Sequence, residues 1–284
     1  MNMNPSSFLS SRTALITGAG GVLCSRMAVA LAQCGANVAL MGRRREPLEA
    51  VADEIRANGG KALVVPCDVL DKAGLEAARV EIEKTFGSVS ILVNGAGGNN
   101  PNATAQKETI ESSASLVDNP GGTFFDLTLE GVGNVFTLNY MGTLLPTQVF
   151  AKPMAETGRG VIINISSASS FRPLTKVGAY GGAKAAINSL TQWLAVHLAK
   201  TGVRVNAIVP GFFITEQNRA LLTTPDGGLT PRAHKIIAHT PQGRFGNPDD
   251  LLGALLWLVN DDAAGFVTGA VIPVDGGFTA YSGV

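Results

Sequence analysis

The 284-residue sequence is short of charge and of patterned cysteine, and each shortage excludes something. Charged residues make up only 15%, and 22 Lys+Arg balance 22 Asp+Glu. No positive surplus is left to grip a phosphate backbone, so no nucleic-acid partner is expected. Cys24, Cys34 and Cys67 are odd in number and lack Cys-x-x-Cys spacing, which argues against a disulfide framework and a zinc ribbon. His197, His234 and His239 show no ligand spacing either, so no metal is expected. The longest apolar run, Leu251–Val259, is broken by Gly253 and far too short for a membrane span. Met1–Arg12 has no basic stretch leading into an apolar one. A cytoplasmic protein without membrane partners is the expectation. What the chain does have is apolar material, 45% of residues, with 34 glycines. That excludes a disordered chain and suffices for a sizeable core.

From Thr13 onward, short apolar runs alternate with helical patterns. Strands are predicted at Ala14–Ile16, Asn37–Met41, Ala62–Val65, Ile91–Val93, Val161–Ile165, Val203–Val209 and Val271–Val274. Between them lie helical patterns over Val22–Cys34, Glu46–Asn58, Asp71–Phe86, Asn134–Glu156, Ala179–Thr201 and Asp249–Val259. Strands that are apolar throughout are those buried on both faces of a parallel sheet. The alternation predicts a single α/β domain spanning 1–284, a Rossmann-type doubly wound parallel sheet of about seven strands with helices on both faces. Two segments interrupt the rhythm, one near 98–125 that is rich in Asn, Thr, Ser, Pro and Gly, and one near 212–245 that mixes helix-like and turn-like stretches. Both follow strand ends, where open α/β sheets bind ligands, and both are expected to be substrate lids.

Thr17-Gly18-Ala19-Gly20-Gly21 follows the first strand and opens a helix. Glycines at such a turn let backbone N–H groups approach a pyrophosphate at the positive end of the helix. After the second strand, Gly42-Arg43-Arg44-Arg45 contains no carboxylate. A ribose 2′-hydroxyl is usually held by an acid and a 2′-phosphate by positive charge, so Arg43 and Arg44 favour NADP(H) while leaving NAD(H) open. Farther along, Tyr180-Gly-Gly-Ala-Lys184 opens a helix, and side chains four residues apart share its face. A neighbouring ammonium is expected to lower the phenol pKa, making Tyr180 a usable acid or base. Ser167, thirteen residues earlier at a strand end, is placed to hold a substrate carbonyl against that phenol.

These motifs together resemble the short-chain dehydrogenase/reductase family, from about Arg12 to Gly277. Thr17-Gly18 matches the opening of the family's glycine turn, although its later glycines are replaced by Val22 and Cys24. Asn94-Gly95-Ala96-Gly97 matches the family's Asn-Asn-Ala-Gly with one substitution. The resemblance implies a dinucleotide held by Thr17, Gly18, Gly20, Gly21, Val22, Asp68, Val69, Asn94, Gly95 and Ala96. It adds Tyr180, Lys184, Pro210, Gly211, Phe213 and Thr215 to that set. It further implies a metal-free hydride transfer in which Tyr180 moves the proton, Lys184 holds the ribose, Ser167 (rather than Ser166) positions the carbonyl and Asn139 keeps a proton path open. The closing Val274-Asp275-Gly276-Gly277 implies a homotetramer.

For substrate, Gly20–Cys24, Asn94–Pro101, Phe171–Thr175, Thr215–Arg219 and the ending Ala280–Val284 resemble the D-mannonate oxidoreductase (fructuronate reductase) subgroup. That implies a small sugar acid, with Arg172 or Arg219 binding its carboxylate and Asn99, Asn100 and Gln217 meeting hydroxyls. Gluconate 5-oxidation, 3-oxoacyl reduction and a non-catalytic nucleotide sensor remain as alternatives.

Overall fold

The computed structural model describes residues 8–215 and 218–283. Seven strands, β1 (Thr13–Thr17), β2 (Asn37–Gly42), β3 (Lys61–Pro66), β4 (Val89–Asn94), β5 (Gly160–Ile165), β6 (Val203–Pro210) and β7 (Val271–Val274), form one sheet. Every pairing is parallel, in the order β3-β2-β1-β4-β5-β6-β7. Because neighbouring residues of a strand face opposite ways, β1 sends Ala14 and Ile16 into one core layer and Leu15 into the other. Helices α1 (Val22–Gln33) and α2 (Arg45–Ala57) cover the first layer, and α3 (Lys72–Phe86) covers the second. Among the described residues no helix is long and apolar enough to cross a membrane.

The sheet order reverses between β1 and β4, whose last residues Thr17 and Asn94 are register partners. The crevice outside the carboxyl ends of strands at such a reversal is where this architecture receives ligands.

Two departures from the sequence expectation bear on the site. The segment after β4 is not featureless. It holds a short turn of helix at Pro101–Ala103, α4 (Ser113–Asp118) and another turn at Phe124–Asp126. Asn100, Ser112 and Thr123 cap these pieces through their side chains. The single helix expected over Asn134–Glu156 is α5 (Leu129–Phe136) and α6 (Gly142–Thr157), joined by a π-helical turn at Thr137–Met141. Such an inserted turn re-aims side chains, and here it buries Asn139 completely. After α7 (Gly178–Leu198) and β6, the second irregular segment contains α8 (Arg219–Leu222) and α9 (Pro231–Ala238), the latter capped by Thr230. Helices α10 (Leu252–Val259) and α11 (Asp261–Ala264) then lead to β7.

Candidate active site

A buried row of polar side chains fixes the strand ends. Asn94 Nδ2 donates to Asn164 Oδ1 and Thr147 Oγ1, both at 2.9 Å, and Asn164 Nδ2 donates to Thr191 Oγ1 at 2.9 Å. Thr17 Oγ1 accepts from the backbone N–H groups of Gly95 and Ala96 at 3.1 Å, tying the loops after β1 and β4 together. The structure thus spends the side chains of Thr17 and Asn94 on the scaffold, although the resemblance assigned both to the cofactor.

On that scaffold four side chains converge. Tyr180 and Lys184 lie one turn apart at the start of α7, with Lys184 Nζ 5.6 Å from the phenol ring centroid. The ammonium is almost wholly buried and donates to the Ile165 carbonyl at 2.8 Å. Ser167, just beyond β5, hydrogen-bonds Tyr180 and also accepts from Ser169 Oγ at 3.0 Å. Ser166 is turned inward, donating to the Lys184 carbonyl at 3.2 Å, which leaves Ser167 as the serine beside the phenol. Asn139 donates to the carbonyls of Gly98 (2.7 Å) and Val135 (2.8 Å). A Cβ on Gly97 would stand 2.7 Å from Asn139 Oδ1 and 3.2 Å from Lys184 Nζ, so these three positions meet at one point.

The electrostatics reverse one sequence expectation. Burial raises the Tyr180 pKa above its ordinary value, and the Ser167 hydrogen bond only partly opposes this. Burial also brings the Lys184 ammonium down to about 8. In this structure desolvation outweighs any help from the lysine, so at neutral pH Tyr180 is a neutral phenol, ready to donate a proton.

The glycine turn is nested as tightly as its composition demands. Gly18 adopts φ +67°, and a Cβ there would approach Ala96 N to 2.9 Å. Gly20 packs against Pro47, where a Cβ would meet Pro47 Cβ at 2.8 Å. The N-terminus of α1, at Gly21 and Val22, has no side-chain cap and no acidic residue in its first turn, which suits a pyrophosphate. Two of the three departures from the family pattern, Cys24 and Gly95, meet in space. A Cβ on Gly95 would lie 2.1 Å from Cys24 Sγ, so the thiol fills the space that a side chain at 95 would need. Burial pushes that thiol up to about 12, which makes it packing material rather than a nucleophile.

Beyond the turn, Arg43 and Asp68 line one groove at the edge of β3. Arg45 is paired with Glu49 at 3.0 Å, while Arg43 and Arg44 are exposed and form no ion pair among the described residues. Val69 is buried under Gly142. At the other end Gly211 and Thr215 face a cavity shared with Ser167 and Tyr180, whereas Phe213 is buried against Gly246. Pro210 is the buried last residue of β6. These residues, with their uncapped helix end and Cβ-free cradle, fit a dinucleotide.

The substrate candidates divide. The cavity beside Ser167 and Tyr180, about 190 Å³, is lined by Asn99 but by neither Arg172 nor Arg219. Arg172 is exposed and donates to the Thr279 carbonyl at 3.0 Å, tying its loop to the C-terminal segment. Arg219 is exposed at the start of α8. Asn100 turns its oxygen to the Asn102 N–H at 2.9 Å as a cap. Gln217 lies outside the described residues. The cation that does line the cavity is Arg232, on α9, facing an aliphatic wall that includes Leu174, Val177 and Leu221. No spacing in the sequence ties Arg232 to the catalytic motif. The only local signal is its place in the first turn of a Thr-Pro-capped helix.

The doubly wound sheet, the nested glycine loops and the Ser-Tyr-Lys cluster define a nicotinamide-dependent oxidoreductase acting on alcohol groups. A family model described as enoyl-(acyl carrier protein) reductase matches residues 19–279. An uncharacterized oxidoreductase of Bacillus subtilis, UxuB, is 52% identical over 276 residues, 97% of this chain and 98% of its own. A Haemophilus protein described as a candidate D-mannonate oxidoreductase, solved with bound NAD, superposes with a TM-score of 0.91 at 52% identity, covering 97% of this chain and 98% of that one. A candidate gluconate 5-dehydrogenase from Beutenbergia cavernae, with NADP at low occupancy, gives 0.81 at 35% identity, covering 98% and 100%. The chain belongs to the short-chain dehydrogenase/reductase family.

Proposed function

We propose that the protein interconverts a ketone and a secondary alcohol on a sugar acid, with D-fructuronate and D-mannonate as the pair and NADP(H) as the favoured cofactor. The observation that carries this reading is the small cavity in which Ser167 and Tyr180 face a guanidinium and the amide of Asn99. At about 190 Å³ it is below the roughly 300–1,000 Å³ of pockets for drug-sized ligands, which suits a short polar molecule better than a steroid. Likeness to the Haemophilus protein supports the same substrate pair. The unpaired Arg43 and Arg44, with no carboxylate at the end of β2, support the 2′-phosphate, although the Haemophilus protein was solved with NAD.

The nicotinamide dinucleotide supplies or accepts the hydride. Ser167 holds the carbonyl oxygen by hydrogen bonding, and Tyr180 Oη donates its proton to that oxygen as the alcohol forms. Lys184, anchored on the Ile165 carbonyl, stabilises the phenolate left behind and is placed to hold ribose hydroxyls. Asn139, fixed in the π-turn by Val135 and Gly98, keeps Gly97 beside Lys184 and so the route by which Tyr180 is reprotonated. The two irregular segments, 98–125 and 212–245, act as the walls that admit substrate.

A second reading, 3-oxoacyl reduction, draws support from the aliphatic wall of Leu174, Val177 and Leu221. Oxidation of NADPH and of NADH with fructuronate, 5-ketogluconate and an acetoacetyl thioester separates these. Fructuronate with NADPH is expected to give the highest kcat/KM. Preference for the thioester would replace the sugar-acid reading, and preference for NADH would remove the arginine argument.

A further inference from the structure

Arg232 is the cation that the sequence offered no reason to choose, yet its surroundings are the most built part of the substrate cavity. Its side chain is only 20% exposed and is held from two directions. Nη1 donates to Glu108 Oε1 at 3.1 Å and to Thr175 Oγ1 at 3.0 Å, and Nη2 donates to the Thr175 carbonyl at 3.2 Å. A guanidinium carries five N–H donors. Three are engaged, which leaves two for a ligand in the cavity that Arg232 lines with Asn99, Ser167 and Tyr180.

The brace comes from the first irregular segment, through Glu108, and from the loop after β5, through Thr175. Glu108 also accepts from Lys235 Nζ at 2.9 Å, one turn along α9 from Arg232. Lys176 lies close enough to act on the same carboxylate. Its backbone takes a left-handed φ of +75°, and its carbonyl accepts from Ala105 N at 2.9 Å, again from the first segment. A non-glycine residue held in that conformation needs surrounding contacts to keep it there. Arg232, Lys235 and Lys176 all act on the one Glu108 carboxylate, so this corner carries more positive than negative charge, and of the three cations it is Arg232 that lines the cavity. A surplus of fixed cations beside a partly desolvated guanidinium suits an anion, and the planar fork suits a carboxylate in particular.

We infer that Arg232, braced by Glu108 and Thr175, is the subsite for the substrate's carboxylate, with the reacting carbonyl at Ser167 and Tyr180. This rests on the sugar-acid reading above and names the residue through which it is enforced. The ligand class is a short hydroxy or oxo acid, its carboxylate separated from the reacting carbon by the span between Arg232 and Tyr180.

The test compares D-fructuronate with the neutral ketohexose of the same carbon skeleton, in wild type, Arg232→Lys and Arg232→Leu, with cofactor affinity and thermal midpoint measured alongside. Wild type should prefer the acid. Arg232→Leu should raise KM for the acid at least tenfold and lower kcat/KM for the neutral ketose by a much smaller factor, with cofactor affinity retained. Arg232→Lys, which keeps the charge but loses the fork, should fall between. If wild type prefers the acid and both variants keep that preference, the Arg232 assignment is overturned and the sugar-acid reading survives. Equal loss on both substrates overturns it too, as a structural role only. If wild type favours the neutral ketose, the reading and the subsite fall together.

Discussion

Asn139 and Lys184 are 0% and 4% exposed, their polar atoms all directed at backbone partners, whereas Asn99 and Arg232 reach the substrate cavity from the loop after β4 and from the first turn of the short helix α9. The proton-handling corner is assembled from the ends of β4 and β5, a π-turn and the start of α7, all packed against the sheet. The substrate wall is assembled from two segments joined to each other through Glu108, with Lys176 tying the first of them to the loop after β5. Chemistry that tolerates little displacement sits on rigid elements, and recognition that must vary between relatives sits on loops. The same division predicts which substitutions stop the reaction and which only redirect it.

The largest effect is expected in the rigid corner. Tyr180→Phe removes the donated proton without changing shape, and kcat for ketone reduction should fall by roughly 10²–10⁴ with cofactor affinity retained. Turnover within a few-fold of wild type would place the acid elsewhere. Next comes the nested turn. Gly95→Ala drives a Cβ into Cys24 Sγ and should cost about 1–3 kcal/mol of stability, read from denaturant unfolding. Adding Cys24→Gly should restore part of that loss, the Thr17 carbonyl 2.9 Å from the same Cβ staying in place. A double mutant no better than Gly95→Ala alone would mean that the two family departures are independent. At the cofactor's outer end, replacing Arg43 and Arg44 by Ala should raise KM for NADPH roughly tenfold and leave NADH unchanged, as expected for loss of a charge-assisted contact. The smallest effect belongs to the exposed pair. Arg45→Ala breaks only its contact to Glu49 and should shift stability by less than about 0.5 kcal/mol and cofactor choice not at all.

The sheet was legible because apolar runs such as Ala14–Ile16 and Ile91–Val93 have no solvent-facing alternation, and a parallel strand between two helical layers is what permits that. The Tyr180–Lys184 pair was legible because one helical turn puts the two on a shared face. The π-turn around Asn139 was not, since an inserted residue leaves the hydrophobic period almost intact while re-aiming one side chain. Nor was the sign of the Tyr180 shift, because desolvation depends on everything packed around the phenol and not on its nearest cation. Arg172 and Arg219 stood near recognisable motifs, but proximity in sequence to a catalytic serine or a nicotinamide loop does not direct a long side chain. Arg172 turns to the Thr279 carbonyl instead, and Arg232, distant in sequence, is brought in by the packing of α9.

The direct test of the proton account is the pH dependence of the two directions measured on one enzyme preparation. With Tyr180 raised above its ordinary pKa, the phenol is protonated throughout the neutral range, so ketone reduction should be flat there. Above about 8 the loss of the Lys184 charge removes the support for the phenolate that forms, and reduction should decline. Alcohol oxidation, which needs the deprotonated phenol as base, should climb with pH through neutrality. A reduction rate that rises with pH over that interval, or an oxidation rate that falls, would contradict the assignment of the proton to Tyr180.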